Sequence, residues 1–200
     1  MTYNFFATLS RMKYIERWAL MRNARSETLS EHALDVAMIA HALCTIGNVR
    51  FGRQLDADRA ALIGLYHDAS EIITGDMPTP VKYYNSDIRD AYKEVERIAE
   101  HRLLTQLPED LRAPYEAIFE GTDSRDDLYM RRLVKAADKL SALIKCMEES
   151  EAGNSEFRTA KESTQKIVEE MAAEMPEVRT FIEEFLPSYG STLDELLGQS

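Results

Sequence analysis

Only four of the 200 residues are histidines. One of them stands beside an aspartate in His67-Asp68-Ala69-Ser70-Glu71, and an imidazole next to a carboxylate offers two ligands to a divalent cation. Alone, the pair reads more readily as two solvated side chains, because 35 Asp and Glu residues produce such neighbours by chance. Two further residues change the weighing. His32 shares a helical stripe with Val36, Ile39 and Leu43, so its imidazole is expected to be buried and to need either an ordinary hydrogen bond or a metal. Asp138 lies in Val134-Lys135-Ala136-Ala137-Asp138-Lys139-Leu140, where the helical period turns its carboxylate to the side of Val134, and a core-facing carboxylate requires a salt bridge or a metal.

Taken together, His32, His67, Asp68 and Asp138 make a borderline-to-hard ligand set suited to Mn²⁺, Co²⁺, Fe²⁺ or Zn²⁺, with positions left for water. Such a site is catalytic in kind. Cys44 and Cys146 have no Cys or His at finger-like spacing, which argues against a structural zinc. Glu71 follows His67 by four positions and Asp68 by three, so on one helix all three reach the same side. It can there address a water at the metal; otherwise it is a solvated helix residue. His41 comes out about half a turn around from His32, and His101 has no His-Asp companion. Both read as structural, and the centre as mononuclear.

Ligands this far apart in sequence must be carried by long elements, and the apolar spacing supplies helices. Phe5, Leu9, Met12 and Ile15 mark a first one, followed by a polar loop from Ala19 to Ser30. Thr28-x-x-Glu31 reads as a capping box that opens a helix, apolar on most sides, running to about Ile46. Asp56 or Asp58 caps the next, through Leu62, Leu65, Tyr66, Ala69 and Ile73, which places His67-Asp68 within it. A long helix with Ile88, Tyr92, Val95, Ala99 and Leu103 follows from Ser86 or Asp87, and Pro108 starts a shorter one. The helix from about Ser124 to Glu151 carries Asp138. Two more, near 155–174 and 176–186, and a short one capped at Thr192 complete the pattern. No strand pair is evident, so the expectation is an all-α fold of about seven to nine helices forming a single domain over residues 1–200.

Composition narrows the function classes. A formal charge of −11 repels polyanions, which disfavours a nucleic-acid partner while leaving room for a small anion held by a few arginines. Two cysteines in apolar helical patterns suggest buried free thiols in a reducing cytosol. Charged residues interrupt the N-terminal apolar run, unlike a signal peptide, and no apolar run is expected to span a membrane. The anticipated location is the cytoplasm.

The H…HD…D pattern on helices resembles the HD-domain phosphohydrolase superfamily. Arg17-Trp18, His67-Asp68-Ala69-Ser70-Glu71, the run Gly75-Asp76-Met77-Pro78-Thr79-Pro80-Val81-Lys82-Tyr83 and the surroundings of Asp138 together resemble the bacterial 5′-deoxynucleotidases of the YfbR type, from Phe5 to near the C-terminus. The resemblance implies a homodimeric HD-domain bundle that hydrolyses deoxyribonucleoside 5′-monophosphates to deoxynucleoside and phosphate through a metal-activated water. One divalent ion per subunit is implied, Co²⁺ or Mn²⁺ first, with Zn²⁺, Fe²⁺ or Cu²⁺ as alternatives. Its ligands would be His32, His67, Asp68 and Asp138, with His32, Asp68 and Asp138 also bordering the substrate. Arg17 and Trp18 would hold phosphate and sugar, Glu71 would assist catalysis, and Asp76, Met77, Pro78 and Thr79 would line the nucleotide site. Met77 departs from the leucine expected there, a change between apolar side chains of similar size. Asp76 could accept from a 3′-hydroxyl or simply end a helix, and Trp18 could wall off a 2′-hydroxyl or simply pack. The competing readings are an HD-domain hydrolase of another nucleotide phosphate ester and a helical regulatory module without chemistry.

Overall fold

The computed structural model describes residues 2–82 and 84–198. In chain order the elements are α1 (Phe5–Leu9) with a 3₁₀ turn at Ser10–Tyr14, β1 (Glu16–Arg17), β2 (Glu27–Thr28), α2 (Leu29–Phe51), α3 (Ala57–Tyr66), α4 (Glu71–Thr74), α5 (Thr79–Lys82), α6 (Ser86–Leu104), α7 (Glu109–Phe119), α8 (Arg125–Glu151), a 3₁₀ turn at Ser155–Phe157, α9 (Arg158–Glu174), α10 (Pro176–Glu184), a 3₁₀ turn at Leu186–Gly190 and α11 (Leu193–Leu196). The all-α class is as the apolar spacing predicts.

The Thr28 hydroxyl accepts from Glu31 N–H at 3.3 Å, and the Glu31 carboxylate accepts from Thr28 N–H at 2.7 Å. This reciprocal cap opens α2 and contributes about 1 kcal/mol. α2 continues past the expected end at Ile46, because Gly47 sits buried within the helix and the left-handed Gly52 (φ 65°) ends it. α2 packs on α3, α8 and α10. Their shared core joins Val36, Ala40 and Leu43 to Ala60 and Ile63, to Leu133, Ala137 and Leu140, and to Val178 and Phe181. Truncating a fully buried leucine such as Leu140 to alanine should cost about 2–5 kcal/mol. Against expectation, α2 is long and apolar enough to cross a membrane by length and composition; its Val36, Ala40 and Leu43 are buried in the core. Cys44 and Cys146 are buried free thiols, pushed by burial up to about 12 and about 11.

Gly64 sets how closely α3 can lie on α2: a Cβ there would meet the Ala37 Cα at 2.8 Å. α3 then stops at Tyr66, short of the single helix expected through Ile73. The carbonyl of Gly64, which a continuing α-helix would offer to the amide four residues on, instead accepts from His67 Nδ1 at 2.7 Å. Three-residue bonds from Ala69 N–H to Tyr66 and from Glu71 N–H to Asp68 tighten the turn before α4. His67-Asp68 therefore lies in a turn between helices.

The expectation of no strand pair is also corrected. β1 and β2 form a two-residue antiparallel ladder, Glu16 opposite Thr28 and Arg17 opposite Glu27, too short to show alternation in sequence. On α6, Tyr92, Ala99 and Leu103 are buried, whereas Ile88, Val95 and Ile98 face outward.

Candidate metal centre and substrate loop

Close approach of α3 to α2 brings the turn after α3 against the first turns of α2, where His32 lies, and α8 supplies Asp138 alongside. His67 Nε2 lies 3.0 Å from Asp68 Oδ2, and His32 Nε2 lies 3.6 Å from the same oxygen and 3.3 Å from Asp138 Oδ1. Ligand atoms of His32, His67 and Asp68 all fall within 4.8 Å of one another. Asp138 joins this group through His32, its other oxygen 2.9 Å from Lys139 Nζ.

The donor set fits a divalent ion. Nε2 of His32 and Nε2 of His67 are buried without a hydrogen-bond partner among the described residues, a costly state unless a ligand satisfies them. Each ring is oriented from its other nitrogen: His67 Nδ1 donates to the Gly64 carbonyl, and His32 Nδ1 is 3.0 Å from Ser141 Oγ. Such partners commonly orient metal-binding imidazoles. Burial and then Arg17 push His32 down to about 4, leaving it neutral at pH 7. Burial also opposes charge on His67, but Asp68, Asp138 and the Gly64 carbonyl outweigh it and hold His67 up at about 9. A proton and a cation thus compete for one nitrogen. Asp68 and Asp138 are held below the usual carboxylate range despite burial, Asp68 chiefly by His67 and Asp138 chiefly by His32 and Lys139.

Arg17, on β1, donates from Nη1 to Glu27 Oε2 at 3.0 Å, while its Nε is buried without a partner among the described residues. Burial works against its charge, but Glu27, Asp138, Asp68 and Asp76 raise its pKa, so the guanidinium is held cationic beside the carboxylates. Trp18 follows with φ 56°, a left-handed conformation that costs a bulky residue about 1–3 kcal/mol and occurs where surroundings enforce it. Its N–H donates to Asp76 Oδ2 at 3.3 Å, and its carbonyl accepts from Asn23 Nδ2 at 3.2 Å. Its ring packs on Phe157 with centroids 5.4 Å apart.

Glu71 is buried with Oε2 unpartnered among the described residues, and burial, then Asp68 and Asp76, push it up to about 9. It is not the solvated side chain of the alternative reading. Met77 and Pro78 are half-buried between α4 and α5. Thr79 begins α5, but its side chain, like Tyr83, lies outside the described residues. His41 and His101 are exposed and lie outside the group of His32, His67 and Asp68. A cleft of about 360 Å³ lined by Leu143, Met147, Val168 and Ile182 includes none of these residues.

The family model for 5′-deoxynucleotidase YfbR-like proteins matches residues 4–189. The chain belongs to the YfbR-like 5′-deoxynucleotidase family. It is 48% identical over 197 residues to a protein of Erwinia tasmaniensis named 5′-deoxynucleotidase, covering 98% of each chain. It is also 48% identical to the 5′-deoxynucleotidase YfbR of Escherichia coli, covering 96% of this chain and 95% of that one. Among solved structures, an HD-domain phosphohydrolase from Listeria innocua superposes with a TM-score of 0.79 at 23% identity, covering 93% of this chain and 88% of that one. A cyanophage S-2L HD phosphohydrolase bound to dA and one catalytic Zn²⁺ ion gives 0.61 at 16% identity, covering 94% and 99%. These two likenesses show the HD-domain fold.

For this YfbR-like chain, sequence reasoning missed the residues that hold the site residues in place. Ser141 lies three positions after Asp138 on α8, a spacing that could have revealed it. Glu27 is ten residues from Arg17 across an irregular loop and left no periodic signal. Lys145 and Glu149 look like an ordinary surface pair of a helix, yet both are buried.

Proposed function

We propose that this chain, acting as a single domain over residues 1–200, hydrolyses deoxyribonucleoside 5′-monophosphates to deoxynucleoside and phosphate, with one divalent ion held by His32, His67, Asp68 and Asp138. The observation that carries the proposal is the pair of buried imidazole nitrogens, unpartnered among the described residues, that converge on Asp68 in a member of this family. When bound, the ion supplies Lewis acidity, lowering the pKa of a water and drawing charge from a phosphoryl oxygen. Arg17, anchored on Glu27 by one nitrogen, has its Nε left to meet phosphoryl oxygens as charge spreads over them in line. Glu71 stands among Asp68, Asp76 and Lys82 with one carboxyl oxygen available, placed to hold the attacking water or return a proton to the departing 5′-oxygen. Trp18 forms a wall of the sugar site that excludes a 2′-hydroxyl. Asp76, with one oxygen on Trp18 N–H, has the other for a sugar 3′-hydroxyl, and Met77, Pro78 and Thr79 line the nucleotide beside it.

Co²⁺ or Mn²⁺ is the proposed ion, in keeping with two imidazoles and two carboxylates. A homodimer in the cytoplasm, with no nucleic-acid polymer as partner, completes the reading; the outward Ile88, Val95 and Ile98 on α6 support self-association, and the charge of −11 disfavours polyanions. The test is a phosphate-release screen of deoxy- and ribonucleoside 5′- and 3′-monophosphates with Co²⁺, Mn²⁺ and Zn²⁺. Release from deoxy 5′-monophosphates in preference to the rest is expected. Equal rates for ribo and deoxy forms would remove the sugar preference, and no release with any ion would leave a regulatory module.

A further inference from the structure

Trp18 works only if it keeps a conformation that the local chain does not favour. The left-handed Trp18 is held at its N–H by Asp76 and at its carbonyl by Asn23. The loop carrying Asn23 is in turn fastened by the end of α8. Glu149, 2% exposed, accepts from Ala24 N–H at 2.8 Å, Arg25 N–H at 3.2 Å, Asn154 Nδ2 at 2.6 Å and Lys145 Nζ. Lys145 Nζ also donates to the Arg25 carbonyl, and it lies 5.7 Å from the centre of the Phe157 ring on which Trp18 packs.

We propose that Glu149 and Lys145 are positioning residues for the nucleotide: they hold the Trp18–Arg25 loop over the site and thereby set its preference for deoxyribose. The inference rests on the hydrolase reading above. A buried ion pair is no better for stability than a well-packed apolar pair, so its merit lies in what it fixes. Here one carboxylate gathers two backbone amides of a loop with little regular structure of its own. The same helix carries Asp138 and Ser141, about 16 Å and 12 Å back along its axis at 1.5 Å per residue, so metal ligand and sugar wall share one rigid support.

Glu149→Gln keeps the shape but replaces an acceptor with a donor facing Lys145, and Lys145→Met removes the opposite charge. In both variants bound metal and hydrolysis of a small aryl phosphate should match the wild type. KM for a deoxynucleoside 5′-monophosphate should rise about tenfold with kcat less affected, and the deoxy-over-ribo ratio of kcat/KM should fall towards one. Trp18 is the only tryptophan, so its emission should shift to the red and become more open to acrylamide quenching. Parallel loss of metal, aryl phosphatase and nucleotidase activity would overturn the proposal, as would unchanged KM, selectivity and emission. If these variants do not fold, Asn154→Ala, which removes one donor, is held to the same readouts. Should the wild type hydrolyse no nucleotide, the hydrolase reading fails, while the Trp18 emission still decides whether Glu149 and Lys145 hold the loop.

Discussion

Two buried charged clusters lie along α8, and they differ in what they leave unsatisfied. Around Asp138, the Nε2 atoms of His32 and His67, Arg17 Nε and Glu71 Oε2 have no hydrogen-bond partner among the described residues. Around Glu149, each carboxylate oxygen receives two donors and the ammonium of Lys145 is bonded. A third cluster, Arg53, Tyr129 and the fully buried Glu177, is closed in the same way, with Tyr129 OH donating to Glu177 at 2.8 Å and accepting from Arg53 at 2.8 Å. Burial of charge alone therefore does not mark a site. Folding tolerates a buried polar group when its bonds are made within the chain, so atoms left open together in one place point to a ligand.

The sharpest way to break this contrast is to exchange roles between clusters. His67→Ala should lower kcat by about a thousandfold or more, through loss of metal, with little loss of thermal stability in the metal-free protein. Glu177→Ala should instead destabilise by about 1–3 kcal/mol, because Tyr129 and the half-buried Arg53 lose their acceptor, while the protein that remains folded retains its metal. Metal analysis, turnover and melting curves on the two variants check this, and similar profiles for both would erase the distinction. Arg17→Lys comes next. A lysine lacks the planar fork that spans a carboxylate and a phosphoryl group together, so kcat/KM should fall about a hundredfold with metal content unchanged.

The smallest effect is in acid. Burial opposes charge on Glu149, but Lys145 and the loop amides hold its carboxyl down to about 2. A carboxyl whose pKa is lower folded than unfolded stabilises the fold above the unfolded value of about 4.5 and loses that contribution as pH falls through about 2. Melting temperature should thus decline less steeply between pH 4.5 and 2 in Glu149→Gln than in the wild type. Equal slopes would show that Glu149 is not held as a bonded carboxylate.

Much of the architecture was legible beforehand, because helical spacing of Val36, Leu43, Val134 and Leu140 records burial directly. The capping box at Thr28 and the ends of α8 were legible too, since caps are chemistry within four residues. The break of α3 at His67 was not. It depends on an imidazole taking the Gly64 carbonyl from the backbone ladder, and apolar periodicity runs through such a turn without interruption. Nor was the ladder of Arg17 with Glu27, whose two residues on each side are too few for alternation.

For the site, the sequence by itself determined the inventory: two imidazoles, two carboxylates, one arginine and one glutamate at spacings suited to helices, and the family motif that joins them. Tertiary structure decided which atoms stay open. Whether His32 is a satisfied core histidine or an open ligand turns on Ser141, and whether Trp18 adopts its left-handed backbone turns on Asp76, Asn23 and, beyond them, Glu149. Hydrogen-bond satisfaction is a property of partners brought together from distant parts of the chain. Periodicity records only which side of its own element a residue faces.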